Sequence, residues 1–243
     1  MTNGQNRISG SDKTVARDPV NQELFELADR SGLARFGIMN NHVWHHDPKR
    51  LVFTLARYKF VAKMLAGRSK VVEYGCGDAF CSRLVRQEVD DLTVTDFDAA
   101  FIADAKARME PPWAFEAREH DIIAGPLDGL FDAAYALDVL EHIEADMEDR
   151  VLANITASLT EHGVAIIGMP SLESQAYASP QSKAGHVNCK TGEGLRTTML
   201  RHFHNVFMFS MNDEVVHTGF FPMAHYLLAI GCTKRTAFDG SGA

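Results

Sequence analysis

Two glycines, Gly75 and Gly77, bracket Cys76 in the stretch VVEYGCGDAF, where an apolar run meets Glu73 and then breaks. Glycine has no Cβ, so the backbone there can turn sharply and let a ligand approach closely. Asp96, in TDFD, follows about 20 residues later, where a carboxylate can accept both hydroxyls of a ribose. Asp98 closes the same run and competes for that role or for a helix cap. A nicotinamide dinucleotide and S-adenosylmethionine could both use such a site. The dinucleotide fingerprint, however, needs a third glycine at position 80, where helix and strand pack closely and a pyrophosphate rests. Phe80 stands there, and its ring counts against an oxidoreductase.

Proton chemistry points to the histidines, the side chains that titrate nearest neutral pH. His142 lies in DVLEHI, His186 in SKAGHVNCKT, and His217 in SMNDEVVHTGFFPMAH with Asp213, Glu214 and His225. Each is predicted just after a strand. The stretch NHVWHHDP holds His42, His45, His46 and Asp47, which superficially resembles a metal ligand set. Without a defined spacing to ligands elsewhere it reads better as a lid, with Trp44 closing over a bound molecule, and no metal is expected.

The elements that must position these residues follow from periodicity. NQELFELADRSG ends on a glycine stop, and DPKRLVFTLARYKFVAKMLAG has Asp47 as N-cap, Pro48 in the first turn and Gly67 as stop, so both are predicted helices. Leu51, Leu55, Phe60 and Leu65 read as core. From Lys70 the pattern becomes short β-branched runs alternating with amphipathic stretches. Strands are predicted at 70–75, 92–97, 114–118, 131–137, 164–169, 205–210 and 226–233, and helices at 79–89, 99–109, 145–161 and 191–202. Such alternation builds an open, mostly parallel sheet with helices on both faces, whose ligands sit beyond the carboxyl ends of the strands.

Composition narrows the function classes. A net charge of -8 argues against a phosphate-backbone binder, so no nucleic-acid partner is expected. The opening MTNGQNRISGSDKTVARD lacks the apolar core of a signal or membrane span, and Cys76, Cys81, Cys189 and Cys232 form no CxxC pair. Reduced thiols, a cytoplasmic location and no membrane partner are the expectation.

In their order along the chain, the motifs resemble those of class I S-adenosylmethionine-dependent methyltransferases. Glu73, Gly75 and Gly77 look like that family's first motif, with Ala79 replacing its last glycine. LTVTDFDAAFIADAKAR resembles the second strand and helix, FEAREHDI the third strand, FDAAYALDVLEHI the fourth strand and its loop, and LTEHGVAIIGMPS the fifth. The resemblance spans about 70 to 234. It implies an α/β, Rossmann-like, seven-stranded, mostly parallel sheet with an N-terminal helical cap. The implied division is a disordered tail at 1–18, the cap at 19–68, the cofactor-binding domain at 69–235 and a flexible tail at 236–243.

The implied cofactor is S-adenosyl-L-methionine, with S-adenosyl-L-homocysteine as product. Its ribose would meet Asp96 with Phe97 beside it, its adenine Asp121 and Ile122, and its carboxylate Arg57 and Tyr58 from above, with Glu73, Gly75, Gly77 and Leu137 completing the site. His142, His186 and His217 are candidates to meet a small polar acceptor such as a sugar or biosynthetic intermediate, methylated on oxygen or, less favoured, nitrogen. A nicotinamide oxidoreductase and a non-catalytic cofactor-binding module are the alternatives.

Overall fold

The computed structural model describes residues 14–111 and 113–235. The outer part of the expected N-terminal tail, 1–13, and the whole of the expected C-terminal tail, 236–243, lie outside the described residues. Contacts divide the chain into two compact units, Met1–Arg35 and Phe36–Ala243. The first holds a short turn at Pro19–Asn21, capped by the Asp18 side chain, and helix α1, Gln22–Ser31, which ends at Gly32 with φ +74°. The second holds two further N-terminal helices, α2 (Ile38–His46) and α3 (Pro48–Leu65), and the sheet.

Among the described residues the sheet has eight strands rather than the seven expected. They are β1 (Lys70–Tyr74), β2 (Asp91–Asp96), β3 (Glu116–Glu119), β4 (Phe131–Leu137), β5 (Leu159–Pro170), β6 (Phe203–Asn212), β7 (Val215–His217) and β8 (Tyr226–Lys234), in the order β3-β2-β1-β4-β5-β8-β6-β7. The first five run parallel, and β8 is antiparallel to both β5 and β6. The extra strand is β7, which folds back on β6 through a turn where Asp213 takes φ +49°.

Alternation along β1 and β4 sends side chains to two cores. Val71, Ala133, Tyr135 and Leu137 pack with Leu51, Tyr58, Val61 and Leu65 of α3. Val72, Tyr74, Ala134 and Ala136 pack with Val151, Leu152 and Ile155 of α6 (Glu148–Ala157), and with Leu195 and Met199 of α8 (Gly192–Leu200). Central parallel strands are buried on both faces, which is why KVVEY and FDAAYAL carry apolar residues without polar alternation. Burying each leucine of α3 contributes about 1.5–3 kcal/mol, enough to fix that helix on the sheet.

Three expectations change. The stretch between the two predicted helices, given no element of its own and expected as a lid, is largely helical, as α2. Asp47 stands at the N-cap of α3, but its side chain makes no capping bond. The helix predicted over 79–89 shrinks to α4, Arg83–Arg86, because Ala79 takes φ +52° and the Asp78 carboxylate accepts from Phe80 N, holding the chain in a turn. Two further helices, α5 (Ala99–Ala107) and α7 (Pro180–Gly185), flank the strand ends.

Candidate active site

The turn after β1 is where the sequence placed the ligand, and its geometry demands glycine twice. Gly75 and Gly77 have φ of +70° and +52°, and a Cβ would stand 2.3 Å from Val139 Cγ2 at the first and 2.3 Å from Met39 Sδ at the second. Gly77 N donates to Asp96 Oδ2 at 2.8 Å, and Cys76 N donates to the Thr95 carbonyl at 2.9 Å. The turn is thereby tied to the end of β2.

Behind it, Glu73 is buried with all its acceptor capacity directed inward. Tyr58 OH donates to it at 2.5 Å, Tyr135 OH at 2.7 Å, and Ser82 Oγ also donates. Burial pushes its carboxyl up to about 7, with the three hydroxyls opposing that rise. Glu73 and Tyr58, expected against the cofactor, therefore brace the turn from the core side.

On the open side, Asp96 is buried and also accepts from Asp98 N at 2.9 Å. Asp98 caps α5 by accepting from Ala100 N at 2.9 Å, which separates the two acids that competed in the sequence. The ring of Phe97 is 76% exposed next to Asp96. Asp121 accepts from Ile123 N at 2.9 Å, while Ile122 is buried in the core shared with α6 and Leu137 in the core shared with α3. Arg57 is engaged by Asp138, whose two oxygens accept from Nη1 at 3.0 and 2.8 Å, and its guanidinium lies 3.8 Å from the Tyr226 ring centroid. Arg57 Nε is buried without a partner, and Asp138 itself takes φ +57°.

These residues fit a nucleoside. A carboxylate has about four lone-pair sites, of which two on Asp96 are used, leaving capacity for a pair of hydroxyls. Phe97 adds a free apolar face suited to a planar base.

Helix α2 covers the turn. Asn40 donates to Asp78 from its backbone N and from Nδ2, both at 2.8 Å. Trp44 stacks on Phe36 at 5.4 Å, and Phe36 meets Phe80 at 5.1 Å. Phe80, which argued against a dinucleotide, thus anchors the helix that carries the expected lid. His42 and His46 stack on each other at 4.0 Å, with His46 Nδ1 on the His42 carbonyl.

Beyond β4, a 3-10 turn at Leu140–His142 presents a second group. His142 and His186 meet edge to face with ring centroids 5.2 Å apart, although 44 positions separate them. His142 Nδ1 is 2.8 Å from the Gly185 carbonyl, and His186 Nδ1 is 2.9 Å from Gln175 Oε1. Burial and then His142 lower the pKa of His186. Glu141, which the sequence reading did not single out, brings a carboxylate oxygen within 4.8 Å of a nitrogen of each and is fully buried. Burial, then Asp138, pushes its carboxyl well above the usual range. The signal that could have found it is its place beside His142 in DVLEHI. His217 is not brought to this pair. It sits in the β6–β7 hairpin, bonded to Ser210 Oγ at 3.0 Å and Asn212 Nδ2 at 3.1 Å.

Known proteins give this architecture a context. Residues 72–165 match the sequence model of a family described as a methyltransferase domain. Among solved structures, the chain is similar to the N-methyltransferase NodS from Bradyrhizobium japonicum in complex with S-adenosyl-L-homocysteine, at 18% identity and a TM-score of 0.58, over 82% of this chain and 93% of that one. It is similar to a possible histamine N-methyltransferase from Thermotoga maritima, at 16% identity and a TM-score of 0.62, over 81% and 98%. A third is a putative methyltransferase from Haloferax volcanii in complex with the Trm112 methyltransferase activator, at 13% identity and a TM-score of 0.61, over 83% and 100%. No curated protein matches the chain. Among the described residues no helix is long and apolar enough to cross a membrane. The sequence match to a methyltransferase domain lies over β1 to β5 with the glycine turn near its start, and these solved structures share the fold.

Proposed function

We propose that this domain methylates a hydroxyl group of a small polar acceptor, such as a sugar or a biosynthetic intermediate, in the cytosol. The observation that carries the reading is the exposed His142 paired with His186 just beyond β4. In this proposal Asp96 accepts from the ribose hydroxyls, Phe97 and Ile122 flank the adenine, and Asp121 lies at its edge. Gly75 and Gly77 allow close approach, and Leu137 walls the site. Arg57 serves the carboxylate end by turning from Asp138, and Met39 and Asn40 of α2 lie over the turn.

S-adenosylmethionine supplies an electrophilic methyl group when bound, and the chain's part is to align an acceptor oxygen with it in line and exclude water. Such alignment can supply about 7–11 kcal/mol of the barrier. His142 holds the acceptor hydroxyl or takes its proton, and His186 orients it. An amine acceptor is the second reading, favoured by the two neighbours named as N-methyltransferases.

Two measurements test this. Calorimetric titration is expected to show binding of S-adenosylmethionine and S-adenosylhomocysteine and none of the oxidised or reduced nicotinamides; nicotinamide binding alone would return the oxidoreductase reading. Incubation with a deuteromethyl-labelled cofactor and pooled alcohols, sugars and amines, read by mass spectrometry, is expected to label an oxygen. His142→Ala should keep the cofactor affinity and lower turnover about 100-fold or more. Full activity in that variant would remove the proposed role.

A further inference from the structure

Glu141 is the part of this end of the site that methyl transfer alone leaves unexplained. Its side chain is fully buried and neither carboxylate oxygen has a hydrogen-bond partner. A buried polar group without a partner costs about 1–3 kcal/mol, more if charged, so the arrangement calls for a partner that the chain itself does not supply. One carboxylate oxygen of Glu141, one nitrogen of His142 and one of His186 all lie within 4.8 Å of one another. Ligand atoms about 2.1 Å from one ion stand roughly 3.4 Å apart in a tetrahedron, so these three need draw in by at most about 1.4 Å.

Both rings are already set for that purpose. His142 Nδ1 rests on the Gly185 carbonyl and His186 Nδ1 on the carboxamide oxygen of Gln175. A carbonyl oxygen only accepts, so each neutral ring carries its proton on Nδ1 and keeps the lone pair on Nε2. A histidine that ligates a metal characteristically has this outer hydrogen bond. The loop bearing His186 is fixed as well, because Val187 N and Asn188 N donate to the Glu141 main-chain carbonyl at 2.8 and 3.0 Å.

We propose that Glu141, His142 and His186 bind a divalent first-row transition ion beyond the end of β4. Two imidazoles and one carboxylate suit manganese, iron, cobalt, nickel or zinc better than magnesium or calcium. Three protein ligands leave coordination positions for water or for an oxygen of the acceptor. On the hydroxyl reading above, the ion lowers the pKa of the bound alcohol, and His142 acts as a ligand instead of a base. The ion site itself does not depend on that reading.

The test uses the full chain, stripped with EDTA and titrated separately with Co2+, Zn2+, Mn2+ and Mg2+ by calorimetry, with the visible spectrum of the Co2+ form recorded. One equivalent of a transition ion is expected, tighter than Mg2+. Glu141→Gln and His186→Ala should each weaken binding at least about 10-fold, and His45→Ala should not change it. His186→Ala alters a half-buried loop position, so it stays informative if the core variant does not fold. Absence of stoichiometric binding, or affinity unchanged in His186→Ala, overturns the site. Titrating the same samples with S-adenosylmethionine separates the two proposals: cofactor binding without ion binding sinks the metal site alone, and the reverse sinks methyl transfer alone.

Discussion

Two buried glutamates stand near the carboxyl ends of neighbouring parallel strands, Glu73 in β1 and Glu141 just after β4, and they are treated oppositely. Glu73 receives three hydroxyls, and the turn it braces is satisfied throughout: Asp78 accepts from Asn40 and Phe80, and Asp96 accepts from Gly77 N and Asp98 N. Glu141 receives nothing, and Arg57 Nε, on the residue that pairs with neighbouring Asp138, is also without a partner. Burial penalises an unpaired carboxyl at both places, so the difference is one of completion. The turn after β1 is finished by the fold. The turn after β4 is left for something that arrives later.

The largest expected effect tests the completed side. Glu73→Leu would leave the hydroxyls of Tyr58, Tyr135 and Ser82 buried without their acceptor, and a loss of about 3–5 kcal/mol in urea unfolding is expected. A loss below about 1 kcal/mol would mean the three hydroxyls are not held by this carboxylate.

The same group gives a pH signature. Its folded pKa is raised from 4.5 to about 7, so the native state binds the extra proton and stability falls as pH rises from about 4.5 to about 7. The fall is on the order of 3 kcal/mol. Glu73 faces Tyr58 from α3, Tyr135 from β4, Ser82 before α4 and Asp96 from β2, and none of these brings a cation to offset it. Glu73→Gln should flatten the unfolding free energy across that window, and an unchanged profile would place the titration elsewhere.

A smaller effect is expected at Asp96. Asp96→Ala removes the acceptor of Gly77 N and, on the proposed reading, that of the ribose hydroxyls, so calorimetry should show S-adenosylmethionine affinity lowered by about 1.5–3 kcal/mol. Unchanged affinity would take the ribose role from this residue. The smallest effect belongs to the unfinished side. Glu141→Gln in the metal-free protein loses no hydrogen bond, so its stability should change by less than about 1 kcal/mol. A large loss there would show that the chain does satisfy Glu141 and would erase the contrast.

What the sequence disclosed follows the range of the interactions involved. Gly75, Gly77 and Asp96 were legible because a turn and a strand end are local and the spacing between them is set by one helical crossover. The mostly parallel sheet, α3 and its core face were legible from periodicity. Helix α2 was not, because HVWHH has no amphipathic stripe, and its position depends on Asp78 and Phe80, about 40 residues away. The shortening of α4 has a local cause instead, the turn in which Ala79 takes φ +52° and Asp78 accepts from Phe80 N. Tyr58 was placed correctly on α3, but its partner proved to be Glu73, a choice only packing could reveal. His142 and His186 were both named, yet their meeting rests on two backbone bonds to the Glu141 carbonyl. Glu141 itself is distinguished by burial without a partner, to which its place beside His142 in DVLEHI was the local pointer. His217 was given the same standing as the other two and lies in a hairpin at the sheet edge.

The position of β8 also has a consequence in time. This strand is late in the sequence, yet it lies between β5 and β6, and β6 pairs with β8 and β7 but not with β5. During synthesis the chain can complete the glycine turn, the Asp96 strand end and the His142 loop while β6 and β7 still have no place in the sheet. For that interval β5 presents an open edge of unpaired backbone groups, the kind of surface that recruits other chains. The last strand made therefore closes the edge and admits its predecessors.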